Sequence, residues 1–220
     1  MALQNKEVNE LIRKVETACV NALPNAEIMA KLSAYGYTVE VLTEVKDGPL
    51  ENLKAAEALK IKEYNEKNIA TSEADNLRKE FNKLYTDHVG LIRIALKNEP
   101  VLLKSLDVMG HRAKAIGTYL DQAKAFYNGL DNNPTAKAAL LKLNTTEEEL
   151  TGMKAKLAEI DAAREVQSKE KGEAQLATDK RDKIYDELNE WYQTFCGIAK
   201  IAFADSPQTL EILGIFVRNT

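Results

Sequence analysis

Apolar residues along this chain recur every three or four positions, the period that gathers them on one face of an α-helix. Leu11, Val15 and Cys19 form such a stripe and predict a helix over Lys6–Ala22, and Ile116, Leu120 and Ala123 predict another over Ala113–Asn128. Short helices follow over Ala26–Tyr35 and Thr135–Leu143, closed by Gly36 and Asn144, residue types that tolerate the left-handed backbone of a helix end. The chain then restarts. Thr145 with Glu148 has the spacing of a capping box, and Thr38 with Glu40 is its weaker counterpart. From Thr146 to Ala204 there is no proline, so the spacing predicts one long helix with a seam of Leu150, Met153, Leu157, Ile160, Ala163, Ala174, Ala177, Ile184, Leu188, Trp191, Phe195, Ile198 and Ala202. The first half of the chain has a similar helix, with a kink or short break expected at Asp47-Gly48-Pro49. Pro100 and Pro207 each end a long helix and open a short one, which would bury Leu103, Leu106 and Val108 or Leu210, Leu213 and Ile215.

No stretch alternates apolar and polar residues over the length of a strand, so the fold class is all-α. Residues 70–108 recur at 177–215 without an insertion, an offset of 107, and Asn21, Leu23 and Asn25 precede Asn128, Leu130 and Asn132 by the same distance. The chain therefore reads as a tandem duplication of a helical unit of about 107 residues, forming an elongated helical bundle with two long antiparallel helices. The sequence repeats are 1–107 and 108–220. They can intertwine as one bundle of residues 77–166 and another of 1–61 with 184–220; the rival arrangement folds each long helix back, near 68–72 and near 172. The middle of the seam is polar, with Gln167, Glu170 and Arg181 in one copy and Lys60, Glu63 and Lys67 in the other, and reads as a solvated face.

A net charge of −4, with Lys and Arg interleaved among Asp and Glu, argues against a nucleic-acid footprint. The N-terminus has no apolar run after a basic start, and the longest stretch without a charged side chain, Thr17–Ala26, is about half of what a membrane span needs. A cytoplasmic location without a transmembrane segment is expected. Cys19 and Cys196 sit in apolar helical stretches at positions that do not match between the copies, and read as free thiols.

Chemistry is sparse. Neither His88 nor His111 stands three residues after a glutamate, so the paired Glu-x-x-His of di-metal bundles is missing, and no nucleophile elbow, Cys-x-x-Cys or phosphate-binding glycine loop occurs. No catalytic residue, metal ligand or cofactor is expected. His88 takes the seam position of Phe195 and reads as a packed imidazole; His111, after Gly110, reads as solvent-facing. Glu147, Glu148 and Glu149 read as a first-turn acidic cluster that suits the helix dipole. Gly90 and Gly197 lie inside the last turns of the long helices, where close packing against the backbone is the expected reason. Trp191, Tyr192 and Phe195 correspond to Leu84, Tyr85 and His88 and make the bulkier aromatic patch.

The run from Trp191 to Phe203, followed by Asp205 to Ile215, resembles a C-terminal segment of uncharacterised bacterial all-helical repeat proteins, and Phe81 to Val108 resembles it more weakly. The resemblance implies an all-helical repeat of bacterial origin and carries no activity. The reading that follows is a non-enzymatic, soluble helical interaction or scaffold protein whose partner is a protein, a second copy of the chain included, with His88, Trp191 and Tyr192 as its surface. The second reading is a helical bundle that binds a small ligand, with or without catalysis, in a pocket near His88 and Tyr85 or near Trp191 and Tyr192.

Overall fold

The computed structural model describes residues 3–216, and it is all-helical, with no strand among them. The expected bundle ends at 1–2 and 217–220 lie outside the described residues. Helices α1 (Asn5–Ala22), α2 (Ala26–Ser33) and α3 (Val39–Val45) are followed by a π-helical turn at Lys46–Leu50, then α4 (Glu51–Ala95) and α5 (Pro100–Ser105). After a non-helical segment come α6 (Ile116–Asp131), α7 (Pro134–Leu141), α8 (Glu147–Ala202) and α9 (Pro207–Ile212). No helix among the described residues is long and apolar enough to cross a membrane.

Local chemistry accounts for the ends. The side chain of Asn25 accepts hydrogen bonds from the N–H groups of Glu27 and Ile28, and that of Asn133 from Ala136, so α2 and α7 start at matching caps. Thr38 caps α3 and Thr146 caps α8, each accepting from the N–H three residues on. The cap of α8 is thus Thr146 rather than Thr145, which is itself buried. Gly36 (φ 88°) and Asn144 (φ 58°) hold the left-handed conformation expected of them. Prolines at the first turns of α5 and α9 cost no hydrogen bond, because those N–H groups have no intrahelical acceptor.

Gly48 and Pro49 do not break the chain; they sit in the π turn, which carries α3 into α4. That turn also explains a change of register. Asn25 and Asn133, or Thr38 and Thr146, lie 108 residues apart, whereas Pro100 and Pro207, or the left-handed Asp107 and Gly214, lie 107 apart. Buried Val45 matches buried Met153 at the first offset and Leu50 matches Leu157 at the second, so the offset drops across Lys46–Leu50. A π turn accommodates one residue more than the α-helical turn it replaces. Caps and left-handed residues are thus 108 apart before Lys46–Leu50 and 107 apart after it, beside the constant 107 expected.

Both long helices run without interruption, and α8 passes straight through Gly172, so neither folds back. Contacts group Met1–Glu66 with Lys171–Thr220 as one compact unit and Lys67–Glu170 as another; the first takes residues from both sides of residue 107, and so does the second. In the first unit Val8, Leu11, Val15 and Cys19 of α1 pack with Leu32, Leu42, Leu53, Phe195, Ala199 and Leu213. In the second, Phe81, Tyr85 and Ile92 of α4 pack with Leu106, Phe126, Tyr127, Leu140, Leu150 and Ile160.

Two expectations about polar and small residues fail here. Arg181 is not solvated: it is 1 % exposed in the first unit, with Nη1 donating to Glu57 Oε2 at 2.9 Å and Nε to Asp182 at 2.6 Å. Nor does Gly90 pack closely. A Cβ built at Gly90, or at Gly197, meets nothing within 4 Å, whereas one at Gly129 would lie 2.8 Å from Cδ2 of the fully buried Leu106. Gly90→Ala should therefore raise stability by about 0.5–1 kcal/mol, the helix-propensity gain. Gly129→Ala should lower it by about 1–2 kcal/mol, because overpacking outweighs that gain. Urea melts of the two variants check the opposite signs.

Candidate functional site

The second unit contains a cleft of about 560 Å³ between the last turns of α4 and the junction of α7 with α8. Leu84, Leu91, Ile94 and Leu143 supply apolar walls, and Gly90 leaves room where a side chain would intrude. The polar lining comes from Thr86, Asp87, His88, Asn144, Thr145 and Glu149. The helical period sets this arrangement: residues 84, 87, 88, 91 and 94 fall on one side of α4. Asn144, in its left-handed turn, then brings Thr145 and the first turn of α8 against that side.

His88 is the centre of a hydrogen-bonded chain. Its ring is 2 % exposed, Nδ1 lies 3.0 Å from the Tyr127 hydroxyl, and Nε2 lies 3.3 Å from Glu149 Oε1. Burial, with lesser contributions from Tyr85, Tyr119 and Glu149, pushes the Tyr127 hydroxyl well above the usual phenol range, so it keeps its proton. Because a carboxylate can only accept, hydrogen bonding assigns the proton of a neutral ring to Nε2, and the Tyr127 O–H then donates to Nδ1. Both ring nitrogens and the Tyr127 hydroxyl are hydrogen-bonded in this way. The Glu149 side chain is 31 % exposed and lines the cleft.

Tyr85 does not reach this cleft. It is fully buried, in contact with Phe81, Tyr119, Phe126 and Tyr127, and its hydroxyl accepts from Arg112 Nη1 at 3.2 Å. Trp191 and Tyr192 belong to the first unit. Trp191 stacks on Phe195 at 5.3 Å and meets the edge of Tyr37, and it borders a smaller recess of about 180 Å³ with Val45, Pro49 and Leu188. Tyr192 is 5 % exposed. Of the three residues expected to form a surface, His88 and Tyr192 are interior and only Trp191 is half-buried. His111 is exposed, as expected.

Sequence reasoning missed Tyr127, Thr145 and Glu149 as site residues. Glu149 stands 61 residues from His88 and Tyr127 stands 39, and nothing local marks either as its partner. The acidic run at 147–149 does suit the start of α8, but its third member also carries the contact to His88.

Burial holds Cys19 up at about 11 against an ordinary 9.0, with Lys46 lowering and Asp47 raising it by less, and burial also raises Cys196; both are free. Comparison of the chain with protein-family models, with curated proteins and with solved structures finds no match.

Proposed function

We propose that this is a non-catalytic helical binding protein that takes a small ligand in the cleft of Leu84, His88, Gly90 and Glu149. One observation carries the reading: in the first unit, apolar and aromatic side chains stand where the second has His88, Thr145 and Glu149. There, in the offsets given above, Phe195 stands for His88, Val41 for Glu149, Cys19 for Tyr127 and Tyr37 for Thr145. Tyr37 packs edge-on to Phe195 at 5.2 Å and to Trp191 at 6.0 Å. Such a fold can thus close this location with apolar and aromatic side chains, which stabilise a core without needing polar partners. A buried imidazole with two dedicated partners, beside an open space, is not required for folding and is the arrangement expected of a ligand site.

This reading takes the chain as a tandem duplication in which one copy of the location is lined by aromatic and apolar side chains and the other by polar ones. It is a binding rather than a catalytic reading because the Tyr127 hydroxyl on His88 is buried and keeps its proton, and no thiol lines the cleft. The test is an NMR titration of the full chain with a fragment library. Fragments should shift the amides of Gly90, Asn144 and Thr145 while leaving those of Gly197, Gly36 and Tyr37 in place. The triple variant His88→Phe, Thr145→Tyr, Glu149→Val, which copies three of these four positions, should fold and lose these shifts. Equal shifts at both locations, or none at the first three residues with any fragment, would refute the reading.

A further inference from the structure

The lining of the cleft fixes the charge of what it can hold, and we infer that its ligand is an alkylammonium group, a protonated amine on an aliphatic chain. The inference rests on the binding reading above and adds the chemical class. The two charged side chains that line the cleft are Asp87 and Glu149, both carboxylates, and no lysine or arginine lines it. The start of α8 offers the opposite bias, roughly half a positive charge from its unpaired N–H groups. Glu147, Glu148 and Glu149 already answer that half charge, and Thr146 accepts from the Glu149 N–H, so an anion entering here would meet carboxylates rather than free donors.

The walls ask for a chain as well as a charge. Leu84, Leu91, Ile94 and Leu143 line the same space, and Ile94 is 68 % exposed at its rim. An ammonium at Glu149 can lay several methylenes along these residues, with exposed Asp87 adding a second carboxylate to the lining, and Gly90 keeps the path clear. Thr86, Asn144 and Thr145 add side-chain oxygens that can accept from an N–H₃⁺ group, which donates three hydrogen bonds and accepts none. A fatty acid has the right tail and the wrong head; an inorganic cation has the right charge and leaves the walls unused. The same chemistry has two sources, a free alkylamine or the side chain of a lysine on a protein partner.

The experiment is a titration of the full chain at pH 7, followed by the amides of Gly90, Asn144 and Thr145, with n-hexylamine, n-hexanol, n-hexanoate and acetyl-lysine methylamide. n-Hexylamine or the lysine amide should bind at least tenfold more tightly than hexanol, with hexanoate weakest. The tighter of the two amines distinguishes a free amine from a partner's lysine as the source. Glu149→Gln, which keeps an oxygen for His88, should weaken amine binding at least tenfold, and Asp87→Asn should weaken it less. Hexanoate or hexanol binding as well as the amine would overturn the inference while leaving the binding reading in place, and so would unchanged amine affinity in Glu149→Gln. Absence of cleft shifts with all four probes would also overturn it, and the fragment library then decides the binding reading separately.

Discussion

Glu57→Leu should lower the unfolding free energy by about 3–5 kcal/mol, and Arg181→Met by a similar amount, the cost of leaving one member of a buried pair without the other. Both side chains are interior, Arg181 1 % and Glu57 5 % exposed, and their contact is 2.9 Å. Removing Glu57 leaves the guanidinium with Asp182, whose side chain is 37 % exposed, and a long contact to the Leu3 carbonyl at 3.4 Å. Removing Arg181 strands a carboxylate whose Oε1 already lacks a hydrogen-bond partner among the described residues. The double variant Glu57→Leu, Arg181→Met should behave differently. It removes both desolvation costs and fills the space with apolar atoms, so it should regain most of the loss or exceed the natural chain by about 1–4 kcal/mol. Urea unfolding of the natural chain, the two single variants and the double variant measures the coupling. Losses under about 1 kcal/mol in both single variants would show that the pair is not held in the interior as described.

The second large effect is expected in alkali. Cys19 is raised from 9.0 to about 11 and Tyr119 from 10.0 to about 12, each mainly by burial, and burial also raises Tyr127 and Tyr192. These groups are neutral when protonated, so a raised value in the folded state means that the unfolded chain loses its protons first as pH rises. The stability that comes with the protonated form is full below the unfolded values and is lost as pH climbs to the folded ones. For Cys19 the window is pH 9 to about 11, and for Tyr119 pH 10 to about 12. The two losses overlap between pH 10 and about 11, where the fall in stability is steepest. The melting temperature should be level from pH 7 to 8.5, fall from pH 9 and collapse above pH 11, with tyrosinate absorbance rising together with loss of helical ellipticity. Cys19→Ala should melt lower at neutral pH because of the cavity it leaves, yet show a flatter slope between pH 9 and 10. A melting temperature unchanged to pH 11 would contradict this account.

Features governed by near neighbours were legible in the sequence, and those governed by distant ones were not. Pro100 and Pro207 mark helix starts because the missing N–H costs nothing there, and Gly36 and Asn144 mark helix ends because their side chains permit positive φ. The cap of α8 was placed one residue early because Thr145 and Thr146 carry the same side chain, and only the packing of Thr145 against the cleft separates them. Arg181 lay on the apolar seam by phase, but whether a polar residue there faces water or a partner depends on Glu57, 124 residues away on another helix. The candidate site was half legible: His88 stood out as the counterpart of Phe195, while Glu149 looked like a routine first-turn acid.

By itself the sequence determined that this protein is built of helices, roughly where they begin and stop, and which face of each is buried. Those properties follow from side-chain period and from hydrogen bonds spanning a few residues. The tertiary structure alone decided that the Asp47-Gly48-Pro49 segment is a π turn absorbing one residue of register, that Arg181 is interior, and that Gly90 borders open space. It alone brought His88, Tyr127 and Glu149 together, and Tyr37 and Phe195 into edge-on contact. A buried stripe reports that something covers it; which side chain does so is fixed only when the helices pack.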